Sequence, residues 1–204
     1  MELLKVNDVK IIDVIKILER DGIIIYPTET LYGIGVKYDN KKLLKKVFEI
    51  KNRPSEKTFP LIINLKHLDL LVSSIPPLAQ KLIEKYWPGP LTLILPAKEG
   101  LPEEITSNKT VAVRMPGASF ALDLIKNSPF PITATSANIS GFPAASDIET
   151  VIKYFEKSDI TLFIDGGKLR GIPSTIVDVS VTPPKIIRKG AIDIDLSEIA
   201  YRKK

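Results

Sequence analysis

The chain has 204 residues, 44% hydrophobic and 26% charged, a globular composition long enough to bury a substantial core. It carries no cysteine and a single histidine, His67, which excludes a disulfide framework, thiolate chemistry and a histidine-rich metal site, and leaves a Ser-His-Asp triad only that one residue. The net charge of +5 is modest and suits phosphate-bearing ligands without demanding nucleic acid. With no apolar run of about 18 residues and no apolar leader at the N-terminus, the cytoplasm is the expected compartment and no membrane is.

Residues 8–20 show a helical stripe built on Val9, Ile12 and Ile15, with Asp8 as the expected N-cap. Asp21-Gly22 ends it and opens a β-branched run, Ile23-Ile24-Ile25-Tyr26, that reads as a buried strand stopped by Pro27. That strand empties into Thr28-Glu29-Thr30 and a turn closed by Gly33 and Gly35, where side chains and free N–H groups can face a crevice. The competing reading is a strand exit whose threonines bond only their own backbone.

Asn40 opens a second helix, with Leu43, Leu44, Val47 and Phe48 on one face and Lys41, Lys42, Lys45 and Lys46 on the other, a solvated lysine face. It ends at Lys51-Asn52-Arg53-Pro54, and residues 37–57 hold eight basic against three acidic side chains, so positive charge gathers just after the crevice. Lys51 and Arg53 stand two apart at the helix exit, free to turn toward an anion.

Strands follow at residues 60–65, 91–95, 110–114 and 131–134, with helices at 67–72, 78–86 and 118–126. Arg114 ends one strand before Met115-Pro116-Gly117, where a carboxylate clamp can sit. The strand at 131–134 runs into Thr135-Ser136-Ala137-Asn138, a second hydroxyl-rich exit. Ser146 or Asp147 caps a helix through Phe155, and strands at 161–164, 175–179 and 185–188 complete the set. The remainder, ending Tyr201-Arg202-Lys203-Lys204, is expected to be peripheral. Strands interleave with helices but not as strict βαβ units, which predicts a mixed sheet in an α/β or α+β fold, one domain over residues 1–204.

No Walker-type loop and no third glycine of a dinucleotide fingerprint is present. No carboxylate pair stands out at helical spacing. What recurs at strand exits is hydroxyl, amide and guanidinium: Thr28 and Thr30, Lys51 and Arg53, Arg114, Ser136 and Asn138, Ser174, Arg188. Such groups bind anions and stabilise charge on phosphoryl or acyl oxygens, which fits a transferase that positions its reactants.

Seven segments in order resemble the YrdC-type family, whose main members are threonylcarbamoyl-adenylate synthases. They are Tyr26-Pro-Thr-Glu-Thr-Leu-Tyr-Gly-Ile-Gly35, Lys51-Asn-Arg-Pro54, Trp87-Pro-Gly-Pro-Leu-Thr92, Val111-Ala-Val-Arg-Met-Pro116, Thr135-Ser-Ala-Asn-Ile-Ser-Gly141, Pro173-Ser-Thr-Ile-Val177 and Arg188-Lys-Gly190. The resemblance implies a twisted mixed sheet flanked by helices around a deep basic cavity. It implies an enzyme converting L-threonine, bicarbonate and ATP, with Mg²⁺, to L-threonylcarbamoyl-AMP and pyrophosphate, for the threonylcarbamoyladenosine modification of tRNA by a downstream transferase machinery. Residue by residue, Lys51, Arg53, Ser136 and Asn138 form the Lys-x-Arg…Ser-x-Asn signature that would grip the ATP phosphates. Thr110, Ser146 and Arg188 would help hold the nucleotide. Arg114 would pair with the threonine carboxylate, with Thr30, the Ala134 backbone, Ser174 and Asn64 around the amino acid. No metal ligand is implied in the chain itself.

The pattern departs at Phe59-Pro60-Leu61-Ile62-Ile63-Asn64, where family synthases read Asn-Pro-Leu-x-x-His. Phe59 replaces an asparagine that meets ATP, and Asn64 a histidine that meets threonine; His67, at an odd offset on an expected strand, faces the other way. A family serine near Ala144 is absent, with Ser146 as its expected substitute. Two alternatives stay open: a paralogue that binds nucleotide or double-stranded RNA without synthase activity, and a carbamoyl-transfer module of the hydrogenase-maturation kind, against which the missing zinc-finger cysteines weigh. The length matches the minimal form, in which the lid that longer members draw from a C-terminal extension is absent or comes from a partner.

Overall fold

Two mixed sheets organise the chain, described over residues 2–54 and 57–197 of the computed structural model. The expected peripheral segment ending at Lys204 lies outside those residues. The chain runs β1 (Glu2–Lys5), α1 (Ile11–Glu19), β2 (Ile24–Pro27), β3 (Tyr32–Gly35), α2 (Lys41–Ile50) and β4 (Leu61–Ile62). It continues through α3 (Leu68–Leu71), α4 (Pro77–Tyr86), β5 (Leu91–Pro96), β6 (Thr106–Ser107), β7 (Thr110–Arg114) and α5 (Phe120–Asn127). It goes on with β8 (Ile132–Thr133), β9 (Thr135–Ser136), α6 (Ile148–Phe155), β10 (Leu162–Asp165), β11 (Thr175–Asp178) and β12 (Lys185–Arg188).

The first sheet has the order β1-β10-β2-β3-β9, parallel across β1, β10 and β2 and antiparallel from β2 to β9. The second has the order β12-β11-β5-β7-β4-β8, with β6 also on β7. The mixed character matches the expectation, but the strands divide between two sheets. Only Ala134 separates β8 in one from β9 in the other, so the chain changes sheets there. Thr133 stitches the join: its hydroxyl accepts from Val36 N and donates to Ile34 O, both at 3.0 Å.

Local chemistry explains most elements. The apolar face of α2 buries Leu43, Leu44 and Val47 and leaves the lysines outside, each buried aliphatic side chain contributing about 1.5–3 kcal/mol. The Asn40 side chain caps it by accepting from Leu43 N at 3.1 Å. Asp147, not Ser146, caps α6, accepting from Thr150 N at 2.8 Å.

Several expectations shift. Asp8 closes a short 3-10 turn, Val6–Asp8, and α1 starts at Ile11 after Lys10, which makes no side-chain cap. The expected strand at 60–65 shortens to Leu61–Ile62, because Asn64 starts a 3-10 turn, Leu65–His67. Tyr32–Gly35 is a strand rather than the end of a turn: Gly33 and Gly35 pair with Tyr26 and Ile24. Their missing side chains make room for the Tyr26 ring, since a Cβ on Gly35 would come within 2.8 Å of Tyr26 Cε1. Among the described residues, no helix is long and apolar enough to cross a membrane.

Candidate functional site

Between the two sheets lies a cavity of about 570 Å³, within the range of small-molecule sites. Its floor is one face of the second sheet. Thr92 and Ile94 of β5, Ala112 and Arg114 of β7, and Ser174 and Ile176 around β11 line it at alternate positions, the period-two spacing of a strand. The first sheet supplies Tyr32, Gly33 and Ser136.

Arg53, Arg114 and Arg188 all line this cavity, and no carboxylate does among the described residues. Arg114 is 6% exposed; its Nη1 donates to Glu29 Oε1 at 3.1 Å and to Thr30 Oγ1 at 3.2 Å. Thr30 Oγ1 lies 2.9 Å from Thr28 Oγ1, whose one proton goes to Leu31 O at 2.7 Å. Thr30 is therefore the donor between the two hydroxyls, and a hydrogen-bonded row runs from guanidinium to backbone. The own-backbone reading holds for Thr28, while Thr30 turns to Arg114. Among the described residues, Glu29 Oε2 is buried without a hydrogen-bond partner.

Arg188, on β12 of the second sheet, also lines the cavity. Its Nε and Nη2 donate to Ser174 O at 3.1 and 2.9 Å, and Nη2 reaches Ser174 Oγ at 3.2 Å. Ser174 Oγ in turn sits 2.8 Å from Thr92 Oγ1. Burial first, and then the Arg114 charge, push the Arg188 guanidinium below its ordinary range. The two cations thus share one field, which an anion between them would relieve. Arg53 is also pushed down by burial; it donates to Lys57 O and Thr58 O at 2.8 and 2.9 Å.

Of the predicted site residues, the cavity brings together Thr30, Arg53, Arg114, Ala134, Ser136, Ser174 and Arg188. Lys51, Asn64, Thr110, Asn138 and Ser146 do not line it. Lys51 is buried behind the wall, bonded to the Ser136 and Asn138 carbonyls. Asn138 Oδ1 accepts from Ser136 Oγ at 2.6 Å, so three of the four signature residues are bonded together while Arg53 bonds elsewhere, and of the four only Arg53 and Ser136 line the cavity. Thr110 donates its hydroxyl to Ser107 O at 2.7 Å. Ser146 accepts on its carbonyl from Leu169 N at 2.7 Å, and its Cβ lies near Gly171 of the cavity wall. Asn64 N donates to His67 Nδ1 at 3.2 Å, so His67 folds back on Asn64 through a turn and the strand-offset argument does not apply.

Phe59 belongs to the core. It is fully buried, 4.2 Å from the Phe48 ring, with the Arg53 guanidinium carbon 5.3 Å above it. Where the family pattern has an asparagine, this chain props an arginine on an aromatic face. Thr92 and Glu29 escaped sequence reasoning as site groups. Thr92 ends a quoted motif and points at Ser174 only across the β5–β11 pairing. Beyond Thr28 and Glu29 a second cavity of about 620 Å³ is lined by Lys5, Glu29, Ser119, Asp165 and the Gly166-Gly167 turn, among others.

A family model described as Telomere recombination, Sua5_yciO_yrdC, matches residues 16–190. A threonylcarbamoyl-AMP synthase of Pyrococcus abyssi (strain GE5 / Orsay) is 42% identical over 182 residues, covering 86% of this chain and 53% of that protein. One from Bacillus subtilis (strain 168) is 37% identical over 195 residues, covering 93% and 56%. The crystal structure of P. abyssi Sua5 complexed with L-threonine has a TM-score of 0.85 at 38% identity, covering 93% of this chain and 57% of that one. The chain spans about half the length of these relatives.

Proposed function

The chain belongs to the Sua5/YciO/YrdC family, and we propose that it joins L-threonine, bicarbonate and ATP into L-threonylcarbamoyl-AMP and pyrophosphate. One observation carries the reading: three guanidiniums and a set of hydroxyls converge on a cavity whose described lining holds no carboxylate. Two of the three substrates are anions and the third carries a carboxylate. The threonine complex of P. abyssi Sua5 and the curated names of the relatives support the same assignment.

In this reading the Arg114 guanidinium, held by Glu29 and Thr30, takes the threonine carboxylate with its remaining N–H donors. Thr92 and Ser174 lie on the same floor and suit the threonine hydroxyl. Arg53, Arg188 and Ser136 face the triphosphate. Bicarbonate gives up hydroxide to become carbon dioxide, the threonine nitrogen bonds to that carbon, and the proton it releases joins the hydroxide and leaves as water. The resulting carbamate oxygen attacks the α-phosphorus, and the bond to the β-phosphate breaks to release pyrophosphate. The chain's part is to hold the reactants and neutralise charge. The described lining offers no carboxylate, so a Mg²⁺ entering with ATP would find only hydroxyl oxygens such as that of Ser136 in this chain, and it would supply charge neutralisation at the phosphates. The product is an activated threonylcarbamoyl group, and the acceptor in this reading is a tRNA adenosine served by a separate transferase.

The test is product identity. Incubation with ¹³C-bicarbonate, threonine and ATP should yield a labelled threonylcarbamoyl nucleotide by mass spectrometry. Unlabelled AMP alone, or no new nucleotide, would contradict the assignment.

A further inference from the structure

Lys51 is 1% exposed, more buried than any other cation among the described residues. It follows the last turn of α2 and, unlike Arg53, does not line the cavity. Its Nζ donates to the main-chain oxygens of Ser136 and Asn138 at 2.5 and 2.6 Å and reaches Asn138 Oδ1 at 3.4 Å. Its own carbonyl accepts from Ser140 N at 2.8 Å. Its two short bonds and the longer third contact all go to one loop.

The loop is wired to match. Ser136 Oγ donates to Asn138 Oδ1, and Asn138 Nδ2 donates to the Ile139 and Phe142 carbonyls at 3.2 and 2.7 Å. Ser136, at its start, and Pro143 and Ala144, just beyond it, line the cavity. A buried ammonium without a carboxylate needs such a cluster of oxygens to offset its lost hydration. Its charged neighbour, Arg53, has the same sign and gives no relief.

We propose that Lys51 is a positioning residue: it clasps the loop from Ser136 to Phe142 from behind, so that this wall presents its polar groups to the nucleotide, and it does not touch the ligand itself. What the loop serves rests on the ATP reading above; the clasp stands on the hydrogen bonds alone. A lysine gripping phosphate would turn its N–H donors into the cavity, whereas those of Lys51 go to main-chain oxygens of the loop.

Two substitutions separate clasp from contact. Lys51→Met removes the donors, and Lys51→Arg keeps the charge but offers a flat fork to three converging oxygens. The clasp predicts that both speed hydrogen exchange at the Ser140 amide and raise the KM for ATP about tenfold or more. The KM for threonine should move less than about twofold, as Arg114 is untouched. Wild-type ATP KM in Lys51→Arg, with Ser140 exchange unchanged in both variants, would overturn the proposal. Should either variant fail to fold, amine labelling of the wild-type protein decides. Lys51 slower to label than the exposed Lys41 and Lys45 without ATP supports the clasp; equal labelling that ATP then suppresses overturns it. If the wild-type protein releases no pyrophosphate with any amino acid, the functional reading falls, and exchange and labelling still judge the clasp.

Discussion

Arg114 illustrates how a single residue acquires a role from its neighbours. Its strand position is ordinary, yet Glu29 and Thr30 fix its guanidinium in a buried setting, and the proposed function gives it the threonine carboxylate. Arg114→Lys keeps the charge and loses the fork, so the KM for threonine should rise about 10- to 100-fold with the KM for ATP little changed. Steady-state kinetics with each substrate varied in turn checks it. Lys51 gives a second prediction, in stability. Burial first, and then Arg53, hold its ammonium near a pKa of about 7, against an ordinary value of 10.5. Between those values the unfolded chain binds the extra proton, so this group makes folding more favourable as pH rises from about 7 toward 10.5. Urea unfolding across that window should show stability rising in the wild type relative to Lys51→Met; parallel curves would contradict it. At this scale the sequence was informative about kinds of residue and silent on long-range partners. Thr30, Arg53 and Ser174 were named from motifs, whereas Glu29 meets Arg114 across 85 positions and Thr92 meets Ser174 across 82.

Elements were legible where one periodicity dominates. The 3.6-residue stripe and the Asn40 cap marked α2, and short apolar runs marked β5 and β7, although not which of their faces became the cavity floor. β1 escaped because it is a short, mostly exposed edge strand with no apolar pattern. β3 escaped because two glycines read as a turn until the Tyr26 ring is seen lying against them. That packing makes a prediction. Gly35→Ala would place a methyl 2.8 Å from Tyr26 Cε1 and 3.0 Å from Ile132 Cγ2, so overpacking should destabilise the chain by about 1–3 kcal/mol. Equilibrium denaturation measures this, and an unchanged midpoint would show that the hairpin yields more easily than its geometry suggests. The signature residues Lys51 and Asn138 belong at this scale as well, since they bond to each other behind the cavity and do not line it.

At the scale of the whole molecule, the two sheets meet at Ala134 and leave between them a cavity lined by three arginines. The net charge of +5 is spread over many exposed lysines, while the three cavity arginines are concentrated. ATP at about a hundred times its Kd should therefore stabilise the chain by about 2.7 kcal/mol, raising the melting temperature by about 5–10 °C. Duplex RNA, held only through its phosphates, should bind with a steep salt dependence and stabilise less; the reverse order would favour the nucleic-acid alternative. The most direct test of the account is pyrophosphate release from ATP and bicarbonate with L-threonine, with serine and with no amino acid, in the wild type and in Arg53→Ala. Release that depends on threonine and collapses in Arg53→Ala is the expected result. Release indifferent to the amino acid, or none at all from a protein that still binds ATP, would contradict it.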